Sequence, residues 1–306
     1  WQGDVHKAIR CCDPSFGPLG NIASCFSLAP SELADTFAFC CDRAFLGTSA
    51  HHILRFAASP NTETTYRHET RAGHEGRSLL WRGVFEYLRN ASVPGDYVEL
   101  GVAKGGSALK VARILLELEA LPVESGVHLD RRRLWLYDAF GRGFPAGSAN
   151  DPVFARNLLN HKGWRKGGKH AITPTGLLSE LRSVGWNDRD RTIIRPGYFN
   201  ETLWRSPKPQ TIAFLNIDGD LYESTMVALE SFYDAVEVGG MIYLDDFGLF
   251  GGVRKAFYNF CEKRKMYPLI ERYGKDAAWF LKGKEHNWPK WIFAQLPWWE
   301  VAHDPL

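Results

Sequence analysis

Asp96-Tyr97-Val98-Glu99-Leu100-Gly101-Val102-Ala103-Lys104-Gly105-Gly106-Ser107 is the stretch whose reading decides the fold. Tyr97, Val98 and Leu100 are strand formers, and Val111, Ala112, Ile114, Leu115 and Leu118 then recur at helical spacing. That order predicts a short strand, a glycine-rich turn and the start of a helix. Gly101, Gly105 and Gly106 let the chain turn tightly and approach a ligand with no side chain in between. Ser107 is expected at the N-cap or in the first helical turn, where free backbone N–H groups and the positive end of the helix dipole face the loop. An anionic group of a small ligand suits that place.

Spacing narrows the choice of ligand. Gly101-x-x-x-Gly105-Gly106 lacks the second glycine of G-x-G-x-x-G, so the dinucleotide fingerprint is not met. No Lys-Ser/Thr pair follows the glycines, which excludes a P-loop. What remains is a strand carrying an acid, Glu99, into a glycine turn. This pattern resembles the first motif of class I S-adenosylmethionine-dependent methyltransferases. The resemblance implies that Gly101, Gly105, Gly106 and Ser107 hold the methionine end of the cofactor and that Glu99 orients it. A purely structural Rossmann-like turn competes with this reading.

From Asp96 onward strand and helix patterns alternate, which predicts an α/β fold: a parallel sheet with helices on both faces. Further strands are expected at 134–138, 192–196, 211–217, 241–244 and 277–281, and a helix from Val253 to about Lys265. The unbroken apolar run before Asp218 suits a strand buried on both faces. In the methyltransferase reading Asp138, at the tip of the second strand, grips the ribose hydroxyls, as the acid at that place does in dinucleotide folds.

Residues 1–92 read as a helical N-terminal extension, with helical spacing over 31–39 and 76–88. The core is expected over 93–283. Within it, 141–174 is a glycine- and basic-rich insertion directly after the second strand, at the sheet edge where ligands bind. It reads as a lid, or more plainly as a solvated charged face. Residues 284–306 form a Trp-rich tail (Trp288, Trp291, Trp298, Trp299) expected to pack back onto the domain.

Composition sets outer limits. A net charge of +2 over 306 residues gives no large basic field, so neither nucleic acid nor an anionic membrane is an expected partner. No run of 18 apolar residues exists to span a bilayer. Cys11, Cys12, Cys25, Cys40 and Cys41 crowd the first segment in no metal-binding spacing, with Cys261 far away. Free thiols in a reducing compartment, and hence a cytoplasmic location, are the expectation. His51, His52, His68 and His74 show no i,i+4 pairing and read as ordinary packing or surface residues. The chain starts at Trp1, so it reads as trimmed, processed or a domain of a longer protein.

The chemistry is carried by acids. Asp218-Gly219-Asp220 follows the fourth strand and Asp245-Asp246 the fifth. Neighbouring parallel strands end side by side, so these carboxylates converge near the glycine turn and repel one another. A hard divalent cation resolves that repulsion, and Mg²⁺ keeps coordination positions open for a substrate oxygen. Such an ion lowers the pKa of a bound hydroxyl and aims it at an electrophile. The bland alternative is helix capping and pairing with surface lysines.

Five segments then occur in one order: 97–107, Tyr137-Asp138-Ala139-Phe140, Gly197-Tyr198-Phe199-Asn200-Glu201-Thr202-Leu203, Ile217-Asp218-Gly219-Asp220-Leu221-Tyr222-Glu223-Ser224-Thr225 and Gly239-Gly240-Met241-Ile242-Tyr243-Leu244-Asp245-Asp246-Phe247-Gly248. Together they resemble the macrocin O-methyltransferase family, metal-dependent enzymes that methylate sugar hydroxyls. The resemblance covers roughly Ser78 to Leu281, and a looser kinship to catechol-type methyltransferases runs through Glu99, Ser107, Asp218 and Asp245. It implies a class I methyltransferase fold with a mostly parallel seven-stranded sheet, S-adenosylmethionine and Mg²⁺ as cofactors, and a small-molecule hydroxyl acceptor such as a sugar or glycoside. It implies Asp218, Asp245 and Asp246 as the metal ligands, with Asp218 also on the cofactor side, and Asp220 as general base. Tyr198 and Phe199 would border the adenine, and a homodimer is the family expectation. The chain departs from the family after Asp138, where Gly141 and Arg142 stand in place of an acid. Two rivals remain: a glycosyltransferase using Asp218-x-Asp220 as its D-x-D, and a cofactor-binding domain without catalysis.

Overall fold

The computed structural model describes residues 72–121, 131–152, 172–248, 250–266, 268, 270–273 and 277–284. The N-terminal cysteines, His51, His52 and His68, the helix expected over 31–39, most of the insertion and the Trp-rich tail lie outside these residues. In chain order the elements are α1 (Ala72–Asn90), β1 (Asp96–Leu100), α2 (Gly106–Glu119), β2 (Leu134–Asp138), α3 (Pro174–Ser183), β3 (Thr192–Pro196) and α4 (Phe199–Thr202). They continue with β4 (Ile212–Ile217), α5 (Tyr222–Phe232), β5 (Val236–Leu244), α6 (Gly251–Arg264), β6 (Glu271–Tyr273) and β7 (Ala277–Leu281).

The strands form one sheet in the order β3-β2-β1-β4-β5-β7-β6. The first five are parallel, and β7 runs antiparallel to both β5 and β6. Residues of β4 are buried throughout, because helices cover both faces of the central strands. β3, at the edge, is only half-buried. β5 begins five residues before the strand expected at 241–244, and the short β6 was not singled out by sequence pattern. Three residues carry too little periodicity to read.

Alternation along each strand sorts its side chains into two cores. Tyr97 and Phe214 face a layer made by α1, α2 and α3, which contribute Trp81, Phe85, Val111, Leu115 and Leu177. Val98, Leu100 and Leu215 face the opposite layer, with Leu229, Phe232, Phe257 and Phe260 from α5 and α6. Each such side chain contributes about 1.5–3 kcal/mol by leaving water. The switch of strand order lies between β1 and β4, so the loops after β1, β2, β4 and β5 share one edge.

The position of α1 bears on domain organisation. The sequence reading puts a boundary at 92/93, after this helix. Yet Leu80, Trp81, Val84, Phe85 and Leu88 are fully buried in the same core as β1. The Trp81 ring meets Phe214 and Tyr243 edge-on at 5.9 and 6.2 Å, a favoured aromatic geometry. α1 is therefore packed into the sheet domain.

Candidate active site

The glycine turn is shaped first by the protein's own chain. Gly101 has φ +100°, and a Cβ there would overlap the carbonyl oxygen of Asp218. The Asp218 N–H in turn donates to the Leu100 carbonyl at 2.8 Å. The tips of β1 and β4 thus touch through backbone, and only glycine permits it. Gly105 is the N-cap of α2 with no side-chain cap, and Ser107 lies in the first turn. Gly106 opens onto space: nothing lies within 4 Å of where a Cβ would stand. That is the opening through which a ligand can reach the first amides of α2.

Asp138 ends β2 as expected, but its carboxylate has a role the sequence reading missed. One oxygen accepts from the Val102 and Ala103 N–H groups at 2.8 and 3.0 Å, and the other from Phe140 N–H at 2.6 Å. It braces the glycine turn against β2. The pattern that hid this is simple: a brace across 35 residues leaves no periodic trace. Glu99 is buried at 1% exposure in β1. It accepts from the Tyr97 hydroxyl at 3.1 Å, which itself accepts from Asn216 Nδ2 at 3.2 Å. Burial first, then the neighbouring Glu99, hold the Tyr97 phenol well above its usual pKa, so it stays a donor.

After β4 and β5 the acids gather. Carboxylate oxygens of Asp218, Asp220 and Asp246 lie within 4.8 Å of one another. Two oxygens on opposite sides of a Mg²⁺ stand roughly 4.2 Å apart, twice the usual Mg–O distance, so this trio needs little adjustment to fit such an ion. Asp245 points elsewhere in this arrangement, accepting from the Tyr243 hydroxyl at 3.3 Å. The structure thus brings Asp220 rather than Asp245 into the trio. Asp220 and Asp246 both have left-handed backbone, at φ +58° and +56°. That conformation is uncommon for residues other than glycine and clusters at functional sites. Burial, then the charge of Asp218, push the Asp220 carboxyl up to about 7, with a hydrogen bond to Asp246 acting the other way.

The β2 and β3 side of the edge is different in kind. Arg142 forms a two-pronged ion pair with Glu201, with 3.0 Å between Nη2 and Oε1, and its guanidinium stacks 4.1 Å from the centre of the Tyr198 ring. Each partner favours the other's charged form: Glu201 is held below, and Arg142 above, its ordinary pKa. Tyr198 is the N-cap of α4, and Phe199 opens that short helix. Phe199 also crowds Gly219, whose Cβ position is 3.1 Å from its ring, so it flanks the Asp218–Asp220 turn.

Comparison with known proteins gives a consistent result. The sequence model of the macrocin-O-methyltransferase (TylF) family matches residues 75–282. The chain is 32% identical over 189 residues to 8-demethyl-8-(2,3-dimethoxy-alpha-L-rhamnosyl)-tetracenomycin-C 4'-O-methyltransferase of Streptomyces olivaceus, covering 61% of this chain and 66% of that one. It is 30% identical over 241 residues to mycinamicin III 3''-O-methyltransferase of Micromonospora griseorubida, covering 78% of this chain and 87% of that one. Among solved structures, the O-methyltransferase NovP superposes with a TM-score of 0.57 at 26% identity, over 67% of this chain and 79% of that one. A calicheamicin methyltransferase, at 20% identity and TM-score 0.53 over 79% and 96% of the two chains, shares the fold.

Proposed function

The chain belongs to the macrocin-O-methyltransferase family and is an O-methyltransferase, and on that premise we propose that it methylates a hydroxyl group of a sugar or glycoside with the assistance of Mg²⁺. The observation that carries the reading is the contact of the acid loop with the glycine turn, Asp218 against Gly101. In this reading the contact would set the cation-holding acids beside the cofactor-holding turn. The D-x-D reading of Asp218-Gly219-Asp220 gives way to family membership, and the reading without catalysis gives way with it.

When bound, S-adenosylmethionine, the family's methyl donor, supplies an electrophilic methyl group, and Mg²⁺ supplies a positive charge that acidifies a hydroxyl. The protein's own residues do the rest. The turn of Gly101, Gly105, Gly106 and Ser107 presents the α2 N-terminus toward the cofactor's carboxylate end. Glu99 orients that end from beneath. Asp138 keeps one lone pair on the oxygen facing Phe140 N–H for a ribose hydroxyl. Tyr198 and Phe199 border the adenine side.

Asp218 and Asp246, whose carboxylate oxygens lie close together, would hold the cation, and Asp245, which here accepts from Tyr243, would be the third ligand. Asp220 accepts the acceptor hydroxyl's proton at a carboxylate oxygen. In the metal-free protein burial and Asp218 push this carboxyl up to about 7, and a cation bound beside it would favour the ionised, proton-accepting form. The family's dimer and a cytoplasmic setting complete the proposal; among the described residues no helix is long and apolar enough to cross a membrane.

The experiment is calorimetric titration of S-adenosylhomocysteine with and without Mg²⁺, followed by methyl-transfer assays over a panel of glycosides. Micromolar binding and Mg²⁺-dependent transfer to one of them is the expected result. Transfer that persists undiminished in excess chelator removes the metal from the scheme.

A further inference from the structure

Among the described residues, the stretch 148–152 after β2 is fastened to the acid-bearing loops through Asp151. Asp151 is 3% exposed, although it lies in a stretch without regular structure. One of its carboxylate oxygens accepts from the N–H of Tyr222, the first residue of α5, at 2.7 Å. The other accepts from the N–H and hydroxyl of Ser148 at 2.7 and 3.0 Å, which closes a tight turn in the insertion. α5 needs this oxygen from outside, because its own N-cap is Leu221, which has none to offer. The same carboxylate presses on α6. A Cβ at Gly252 would overlap Asp151 Oδ1, and one at Gly251 would stand 3.4 Å from Pro152 Cγ. The two helices are further tied by Asn259, whose Nδ2 donates to the Tyr222 hydroxyl at 3.0 Å.

The two helix starts are not arbitrary places. α5 begins two residues after Asp220, and α6 begins five residues after Asp246. From this geometry we propose that Asp151 is a positioning residue. It pins the insertion to the first turns of α5 and α6 and so sets the spacing of the acids that end β4 and β5. A carboxylate is suited to this, since it accepts on two sides at once and carries the charge that helix N-termini favour. The proposal rests on reading those acids as a cation site, and it gives residues 148–152 a part in forming that site.

The test is calorimetric titration of MgCl₂ into the full chain loaded with S-adenosylhomocysteine, for the parent, D151A, D151N and V84A. Loss of a group that orients ligand-bearing loops is expected to weaken Mg²⁺ binding about tenfold in D151A. S-adenosylhomocysteine affinity is expected to stay within about twofold of the parent. D151N falls in between, because its remaining oxygen still serves Tyr222 N–H while its amide faces the Ser148 donors. V84A makes a cavity beneath α1, away from the site, and lowers the melting temperature while leaving Mg²⁺ binding unchanged. Parent-like Mg²⁺ affinity in D151A overturns the proposal, as does an equal loss in V84A. If the parent takes up no Mg²⁺, the cation reading falls on its own, and amide hydrogen exchange decides the pin. Faster exchange at Tyr222 and Glu223 in D151A sustains it, and unchanged exchange overturns it.

Discussion

The two halves of the sheet's carboxyl edge solve opposite electrostatic problems. On the β2–β3 side, Arg142 and Glu201 satisfy each other, and the guanidinium rests on Tyr198. On the β4–β5 side, three acids converge, two of them with left-handed backbone, and Asp220 is driven up to about 7. The first half pairs the charges of Arg142 and Glu201 with each other and presents the Tyr198 ring. The second holds like charges together by burial and backbone, an arrangement that a cation stabilises. Charge balance therefore divides the carboxyl edge into a self-paired half and an acidic half, which in the proposed function would border the cofactor and carry the reaction.

Exchanging the acids tests this division most severely. D220N is expected to lower methyl transfer by about 10²–10⁴-fold, the usual scale for removing a general base. S-adenosylhomocysteine binding, measured calorimetrically, should remain near the parent's. An equal fall in binding would show that the two halves are not separable.

Next comes the seam between them. G101A forces a Cβ into the Asp218 carbonyl at a φ that disfavours side chains. A loss of about 2–4 kcal/mol in urea unfolding is expected. A smaller loss would mean that the β1 and β4 tips can part cheaply.

A third test is pH. The Asp220 carboxyl goes from 3.8 to about 7 on folding, so between those values the folded protein holds more protons than the unfolded chain. Stability of the metal-free protein then falls as pH rises from about 4 to about 7, and levels off above. Mg²⁺ favours the ionised acids, so the melting-temperature gain it gives should be larger at pH 8 than at pH 5. A gain independent of pH would separate the ion from these acids. The smallest effect is expected from R142A: about threefold weaker S-adenosylhomocysteine binding through a less fixed Tyr198, with the pH profile unchanged.

Much of this was legible in the chain and some was not, for reasons that differ by residue. β1, β4 and the glycine turn could be read because strand and helix periods change abruptly at Gly101, and buried central strands are unbroken apolar runs. The acids could be read because parallel strands bring their ends together once the order is known. What pattern could not supply was side-chain direction. Asp138 was expected to face a ribose, yet three of its acceptor positions serve backbone N–H groups. Asp245 and Asp220 differ by which neighbour each meets, Tyr243 or Asp246, and that is set by packing. Asp151 left one faint sign: a helix beginning at Tyr222 behind a leucine, which predicts a missing cap without saying who provides it.

The reversed strand β7 carries a consequence for biosynthesis. It inserts between β5 and β6, so the apolar flank of β5 has no neighbour until residues 277–281 have left the ribosome. At ~5–20 residues per second, that leaves an open, buried-type strand edge for roughly 2–7 s after Leu244 is made. During that interval the nascent chain offers a template for wrong pairing. Yield in a heterologous host should therefore respond to translation speed and chaperone supply over the stretch between these two strands.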